Sequence, residues 1–168
     1  MPATRRMRGL AVLPLTLLLT LVSLGTVLIG GASSASAVTR QQRIGNGFDI
    51  VRHQQGDWYG YGAAGPNRFD CSGLVYYSYR KAGFHNIPRT SSGQAARVNR
   101  VNRSNLRKGD LVFFYSGSAR ASNVYHVGVY SGWHNGRRTI IHSPRSGERV
   151  HRAPIWTSRW FAGTLRGR

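Results

Sequence analysis

The pattern of apolar and polar positions predicts a helix that begins at the only cysteine of the chain. Over residues 71–82 apolar side chains recur at roughly helical spacing, and Gly83 is suited to end a helix. Asp70 stands just before the pattern and is a natural N-cap, so Cys71 becomes the first helical residue. Another helix is indicated at residues 43–53, and the segment between the two, rich in glycine and aromatic residues, is typical of an irregular loop.

Three short runs of β-branched and aromatic residues predict strands of an antiparallel sheet. They are LVFFY at 111–115, YHVGVY at 125–130 and TIIH at 139–142, each bounded by Gly, Ser, Asn or Pro. The polar residues 133–137 are expected to form a loop that leads from the second strand into the third.

Alternation along the second strand predicts which way its histidine points. Val127 and Val129 suit the core, so His126 lies on the opposite face of the sheet. A register that pairs Gly128 with His142 would place His142 diagonally across from His126 on that face. A slip of one residue would send His142 to the other face, so this prediction depends on the register.

The first 37 residues have the order of a secretory signal peptide. Basic Arg5, Arg6 and Arg8 precede an apolar run over residues 10–29, and the small residues 35–37 follow. We expect cleavage after residue 37. A retained N-terminal anchor is the alternative because the apolar run approaches membrane-spanning length, and the paired arginines also allow twin-arginine export. No cysteine lies near the cleavage site, so a lipid anchor is not expected.

Residues 38–168 are a usual length for a single domain with one hydrophobic core. The whole chain has 24 Lys and Arg against 5 Asp and Glu, a formal net charge of +19, and without the three leader arginines it is +16. For an exported protein this charge points to anionic wall polymers or acidic stem peptides as partners, and not to nucleic acid. A general positive charge that only keeps the protein soluble and attached to the envelope is an equally open interpretation.

A lone cysteine in an exported protein cannot form an internal disulfide, which raises the prospect of a chemical role for Cys71. The alternative is a buried, inert cysteine that acts as a small apolar side chain. Its predicted place at a helix N-terminus favours the nucleophilic thiolate, because unsatisfied N–H groups and the helix dipole stabilise negative charge. The same N–H groups, with Ser72 or Tyr59 as additional donors, suit an oxyanion.

A cysteine nucleophile needs an imidazole as base, and of six histidines only His126 and His142 lie in predicted strands. The second imidazole would orient the first, as in a nucleophile, base and orienter triad. One cysteine and two histidines could also supply three zinc ligands. No Cys-x-x-Cys or His-x-x-x-His pair is present, so structural zinc is not expected, and the proposed chemistry requires no cofactor.

Taken in order, YGYGAAGPNRFDCSGLVYY, IPRTSSGQ, LRKGDLVFF, YHVGVYSG and TIIHSP resemble the successive motifs of the NlpC family of papain-like cell-wall peptidases. The resemblance runs from about Tyr59 to the C-terminus. It implies an α+β, papain-like fold in which N-terminal helices, including the nucleophile helix, pack on an antiparallel sheet of about five or six strands. It also implies hydrolysis of peptidoglycan stem peptides, typically between D-isoglutamate and diaminopimelate or lysine.

By this resemblance Cys71 is the nucleophile, His126 the general base and acid, and His142 the third polar residue. These are the residues that the helix and strand patterns bring forward independently.

The loop before the nucleophile carries further expectations. Tyr59 matches a family tyrosine expected near the thiolate or the oxyanion, and Asp70 and Ser72 are candidates for holding the amino end of the substrate. Tyr61 stands where the family more often has tryptophan, and Ala63 where it usually has glycine. These departures leave the shape of the substrate pocket open.

Arg89 in IPRTSSGQ suggests a two-pronged clamp on a substrate carboxylate. Against this, Ser91 and Gln94 have the spacing of a capping box for a helix through residues 95–98, so the start of a helix is an equally open interpretation of the motif.

The resulting hypothesis is a secreted, extracellular or wall-associated cysteine endopeptidase that acts through a thioester and has no membrane attachment after signal cleavage. Two alternatives stay open. The same triad would serve an amidase that cuts between the lactyl group of the sugar and L-alanine, and a basic, non-catalytic protein would only bind the wall.

Overall fold

The helices of the described chain, residues 38–167, precede most of its strands in this computed structural model. They are α1 (Arg40–His53), α2 (Cys71–Lys81) and α3 (Ser91–Arg97). The predicted signal peptide, residues 1–37, lies outside the described residues. Within the described range, no helix is long and apolar enough to cross a membrane.

Six antiparallel strands form the main sheet in the order β3-β8-β4-β5-β6-β7. Their bounds are β3 (Asn99–Val101), β4 (Leu111–Tyr115), β5 (Val124–His134), β6 (Arg137–His142), β7 (His151–Pro154) and β8 (Trp160–Thr164). A short parallel pair, β1 (Trp58–Tyr59) and β2 (Arg68–Phe69), precedes α2. Helices packed on a six-stranded antiparallel sheet confirm the predicted α+β fold.

The first helix begins three residues before its predicted start because a capping box precedes it. The side chain of Thr39 accepts a hydrogen bond from the Gln42 N–H, and the Gln42 side chain accepts one from the Thr39 N–H at 2.7 Å. Ile44 and Val51, two turns apart, are fully buried and attach α1 to the core.

The second helix confirms the prediction from periodicity. It begins at Cys71, and the Asp70 carboxylate caps it by accepting a hydrogen bond from the Gly73 N–H at 2.6 Å. Leu74 and Tyr79 are fully buried on its core face. The thiol is thereby held at the N-terminal end of a helix that is anchored along its length.

The third helix differs from the predicted capping box. Its N-cap is Thr90, one residue before the expected Ser91, and the helix covers Ser91–Arg97. Gln94 is fully buried instead of reaching back to the cap, and its Nε2 donates to the Ser72 carbonyl at 2.9 Å. The glutamine therefore ties α3 to the first turn of α2.

The two faces of the sheet carry separate apolar clusters. Val127 and Val129 belong to the cluster that packs against the helices, as alternation along the strand predicts. Phe114, Tyr130 and Ile140 belong to a second cluster on the opposite face. His126 pairs with Phe114 and shares that second face.

The connection from β5 to β6 is a tight hairpin, and the predicted loop at 133–137 is wrong. His134 pairs with Arg137, and Asn135 and Gly136 form the turn with φ of 48° and 70°. Asn-Gly with both φ positive is the preferred sequence for a two-residue hairpin, so this turn was readable from the sequence.

A bulge changes the register partway along this hairpin. Gly132 pairs with Thr139, but on the other side of Ser131 the pairs are Tyr130 with Ile140 and then Val129 with Ile141. The buried Ser131 hydroxyl hydrogen-bonds the Thr139 hydroxyl at 2.8 Å and holds the extra residue in place.

The register beyond the bulge is the one predicted. Because Val129 pairs with Ile141, Gly128 lies opposite His142, and His142 lies diagonally from His126.

Gly73 makes the closest backbone approach near Cys71. A Cβ atom there would lie 2.0 Å from the Ala63 carbonyl oxygen. That oxygen accepts hydrogen bonds from the Asp70 N–H at 2.9 Å and from Arg89 at 3.2 Å, so it cannot move away freely. The Cys-Ser-Gly sequence thus has a steric reason for its glycine.

We predict that Gly73→Ala lowers the free energy of unfolding by about 1–3 kcal/mol, because the methyl group forces the start of α2 away from its loop. Gly45→Ala, in the middle of α1 with nothing within 4 Å of the added Cβ, is the matched control. It should raise the free energy of unfolding by about 0.5–1 kcal/mol. Denaturant unfolding measures both, and an equal effect of the two substitutions would contradict the steric account.

Candidate active site

The thiol of Cys71 is partly buried between α2 and the sheet. Burial raises the pKa of Cys71, and the negative charge of Asp70 raises it further. The N–H groups of Val127, Ser72 and Cys71 itself lower the pKa, but by less than burial and Asp70 together raise it. The N–H groups at the helix start act in the predicted direction and favour the thiolate, but burial together with Asp70 outweighs them, so the net pKa is raised.

His126 and His142 are joined by a buried hydrogen bond. The Nε2 atom of His126 lies 2.8 Å from Nδ1 of His142, with the rings nearly perpendicular at 85°. The side chains are only 8% and 5% exposed. The structure thus brings together the two histidines that the strand pattern selected.

Both imidazoles are neutral at pH 7. Burial lowers the pKa of His126 to about 4. Burial also lowers the pKa of His142 to about 3, and the neighbouring imidazoles His126 and His151 lower it further. A neutral imidazole retains the lone pair that a general base needs.

Helix α2 and the side chains of His126 and His142 lie on opposite faces of the sheet and come closest where, in the described chain, one edge of β5 is unpaired. β5 begins at Val124, whereas β6 ends at His142, opposite Gly128. The first residues of β5 consequently extend beyond β6, and on this stretch the Val127 N–H lies close enough to Cys71 to lower the thiol pKa. His126 directly precedes Val127, and its side chain is the candidate base.

A hydrogen bond fastens the segment before α2 to the end of β6. The Ser143 hydroxyl donates to the Phe69 carbonyl at 2.6 Å. Within residues 38–167 no hydrogen bond joins the Cys71 sulfur to His126, and His126 Nδ1 has no hydrogen-bond partner. Nδ1 is thus the ring nitrogen left for the thiol, and the Cys71–His126 pair stays a prediction.

Arg89 binds a carboxylate of the protein itself. Its guanidinium contacts both oxygens of Asp70, at 2.5 and 3.0 Å, and also the Ser72 hydroxyl at 3.0 Å. The fork geometry is the one expected for a substrate clamp, but its partner is the N-cap of α2. Asp70, Ser72 and Arg89 thus form one polar cluster beside the nucleophile, and their contact with a substrate stays a prediction.

Tyr59 lies on β1 near the thiol. Burial raises the pKa of Tyr59, and the negative charges of Cys71 and Asp70 raise it further, so the hydroxyl is within electrostatic reach of both. Its predicted role beside the thiolate or oxyanion stays a prediction.

Trp156 is a member of the site that the sequence did not reveal. It lies between β7 and β8 and stacks on Phe114 at 4.2 Å between ring centroids, with 5° between the planes. Its ring is also 5.8 Å from His126 and 5.4 Å from His142. One indole therefore covers both imidazoles, although it is itself 47% exposed.

His151 is the second residue that sequence reasoning missed. It lies on β7 directly opposite His142, and their ring centroids are 5.0 Å apart. The predicted sheet had no strand here, so nothing in the sequence placed this histidine beside the pair.

Across residues 38–167, no group of three or more His, Cys, Asp or Glu side chains is arranged to hold a metal ion.

We predict that Trp156→Ala raises the pKa of His126 and of His142 by about one pH unit, because water then reaches the charged imidazoles. Trp133→Ala is the control, since Trp133 is exposed and stacks with Arg138 instead of the histidines. Titration of the imidazole Cε1–H signals by NMR measures both variants. Unchanged pKa values in Trp156→Ala would contradict a shielding role for the indole.

Two curated relatives match most of the described domain. A probable endopeptidase of Corynebacterium glutamicum is 44% identical over 115 residues, which are 68% of this chain and 48% of that protein. The murein DD-endopeptidase MepH of Escherichia coli is 38% identical over 113 residues, which are 66% of this chain and 40% of that protein. The chain spans less than half the length of either relative.

Solved structures share the fold. The NlpC/p60 domain of the peptidoglycan hydrolase SagA superposes with a TM-score of 0.63 at 26% identity, covering 73% of this chain and 98% of that one. RipD of Mycobacterium tuberculosis, a non-catalytic NlpC/p60 protein adapted to peptidoglycan binding, gives 0.60 at 23% identity, covering 74% and 98%. Residues 56–168 match the NlpC/P60 family, as the order of the sequence motifs predicts, and the chain belongs to that family.

Proposed function

We propose that the protein is a secreted cysteine endopeptidase that hydrolyses peptidoglycan stem peptides. The observation that carries this proposal is the buried His126–His142 hydrogen bond of 2.8 Å beside the strand edge where Cys71 starts its helix. Membership of a family of peptidoglycan hydrolases supports the substrate class. The proposed bond joins D-isoglutamate to diaminopimelate or lysine.

The proposed reaction starts from a neutral pair. The raised pKa of Cys71 and the lowered pKa of His126 favour thiol and imidazole over thiolate and imidazolium. On attack the Cys71 sulfur bonds to the substrate carbonyl carbon, and its proton passes to His126 Nδ1. N–H groups at the start of α2, together with the Tyr59 hydroxyl, are proposed to receive the oxyanion.

Collapse of the tetrahedral intermediate breaks the amide bond. His126 returns the proton to the leaving amine, and a thioester remains on Cys71. His126 next removes a proton from water, and the resulting attack releases the carboxylate product and restores the thiol. In both the formation and the hydrolysis of the thioester, His142 keeps the His126 ring oriented through the hydrogen bond at His126 Nε2.

Substrate selection is assigned to the polar cluster next to the nucleophile. Asp70 and Ser72 are proposed to hold the amino end of the stem peptide, and Arg89 fixes both side chains through its three hydrogen bonds to them. Arg89 also forms an ion pair with Asp70 at 2.5 Å.

The charge of the chain fits a location in the wall. A formal net charge of +19 attracts anionic wall polymers and acidic peptides. With residues 1–37 as a cleaved signal peptide, the mature domain would be extracellular or wall-associated, with no nucleic-acid partner.

We predict that Cys71→Ala abolishes release of soluble peptides from purified cell wall while leaving the thermal unfolding midpoint within a few degrees of the parent. Mass analysis of the parent's products identifies the bond. New N-terminal diaminopimelate or lysine on the stem supports the proposal, and free N-terminal L-alanine identifies the amidase alternative. Cleavage of the cross-link instead would match the activity in the name of MepH.

The same assay tests the non-catalytic alternative, which the basic charge of the chain favours. Undiminished peptide release by Cys71→Ala would refute the nucleophile. A parent protein that sediments with the wall but releases no peptide would establish a binding module.

We predict that kcat/KM stays high in weak acid and falls only below pH 6.5, the ordinary pKa of imidazole, because burial lowers the pKa of His126 to about 4. The base form is present above the pKa and is lost as the pH falls through it. Initial rates between pH 4 and 8 measure this limb. The Trp156→Ala variant should move the limb upward, and an acidic limb at or above pH 6.5 in the parent would contradict the neutral buried base.

A further inference from the structure

A third imidazole extends the row formed by His126 and His142. In the β6–β7 register His142 stands directly opposite His151, and their rings are 5.0 Å apart at 72°. The hydrogen-bonded pair His126–His142 has the same ring separation, 5.0 Å, at 85°. The three histidines therefore follow one another across three adjacent strands at equal spacing.

The middle histidine has one nitrogen that lacks a partner. Nδ1 of His142 faces His126, whereas Nε2 is buried and forms no hydrogen bond within the described residues. With 5% of His142 exposed and Trp156 beside its ring, access to bulk water is restricted. A buried ring nitrogen in this position calls for a specific partner.

The outer histidine is held in one tautomer. Nδ1 of His151 lies 2.8 Å from the Arg149 carbonyl oxygen. A carbonyl oxygen can only accept, so Nδ1 carries the hydrogen, and in the neutral ring Nε2 is a bare acceptor. His151 is also exposed, so this acceptor stands between the buried pair and solvent.

We propose that His151 is a positioning residue that sets the tautomers of the His126–His142 pair. After a small rotation of the exposed His151 ring, its bare Nε2 accepts the Nε2–H of His142, a hydrogen bond that the structure does not yet show. His142 Nδ1 is then bare and accepts the Nε2–H of His126, which leaves His126 Nδ1 bare. The direction of the whole chain follows from the Arg149 carbonyl, which cannot donate.

This inference rests on the proposed function for its catalytic meaning, because a bare His126 Nδ1 is what the thiol proton requires. The reverse chain, in which His142 Nδ1 donates to His126 Nε2, puts the hydrogen on His126 Nδ1 and blocks the base. Without a fixed acceptor next to His142, both directions satisfy the 2.8 Å hydrogen bond. His151 removes this ambiguity.

The test uses the full-length protein labelled with ¹⁵N-histidine and its variant His151→Phe, which keeps an aromatic ring but has no acceptor. Long-range ¹H–¹⁵N correlation spectra identify which nitrogen of His126 carries the hydrogen. We expect Nε2–H alone in the parent and a mixture of tautomers in His151→Phe. A parent His126 protonated on Nδ1, or a variant with unchanged tautomers, would overturn the proposal.

Activity provides a second measurement. We expect kcat of His151→Phe to fall about tenfold with KM unchanged, because His151 acts on His126 only through His142, and His151→Gln to recover most of it through its amide oxygen. His53→Phe is the matched control, because His53 is an exposed histidine whose Nδ1 also bonds a backbone carbonyl, that of Asp49 at 2.7 Å. Equal loss in His151→Phe and His53→Phe would overturn the positioning role.

The spectra keep the two proposals apart. They report the His126 tautomer whether or not the protein cleaves peptides, so an inactive parent with the expected tautomer shift refutes only the proposed function. If the parent is active but the His126 tautomer is the same in the parent and in His151→Phe, only the role of His151 is refuted.

Discussion

One bulged residue in the β5–β6 hairpin determines on which face of the sheet the second imidazole stands. If the register between the turn and Gly132 continued unchanged along both strands, His142 would lie opposite Val129, on the face that packs against the helices. The extra residue at Ser131 shifts the pairing by one, so that His142 lies opposite Gly128 on the same face as His126. The hydrogen-bonded pair, its cover of aromatic rings and the third histidine on β7 all depend on that shift.

Burial acts on the two halves of the site in the same direction. It disfavours the charged form of each group, so it raises the pKa of Cys71 and lowers the pKa of His126 and His142. The N–H groups around the sulfur oppose this effect without reversing it. A resting site with no net charge on sulfur or imidazole follows. Between the lowered pKa values and 6.5 the unfolded chain binds more protons, so this burial costs stability as the pH falls through that window.

Features that depend on neighbouring residues could be predicted from the sequence, whereas features that depend on contacts between distant segments could not. Helix α2 and its Asp70 cap depend on neighbouring residues, and the facing of His126 depends on simple alternation, so both were predictable. The Asn135–Gly136 hairpin carried a clear turn signal that the polar composition of its surroundings obscured. The positions of His151 and Trp156 were not predictable, because the sequence of β7 shows no strand-like pattern. Its pairing with β6 becomes visible only in the folded chain. The pKa of the thiol was also out of reach, since it depends on desolvation that only the folded chain produces.

The protonated state of the thiol has a consequence for chemical durability. Peroxide and disulfide oxidants attack the thiolate far faster than the thiol, and oxidation beyond the sulfenic acid is irreversible without dedicated repair. Because burial raises the pKa of Cys71, the sulfur is a poor target for such reagents while the site is empty. The chain has no second cysteine to form a protective disulfide, so resistance to such oxidants depends on the raised pKa of this sulfur.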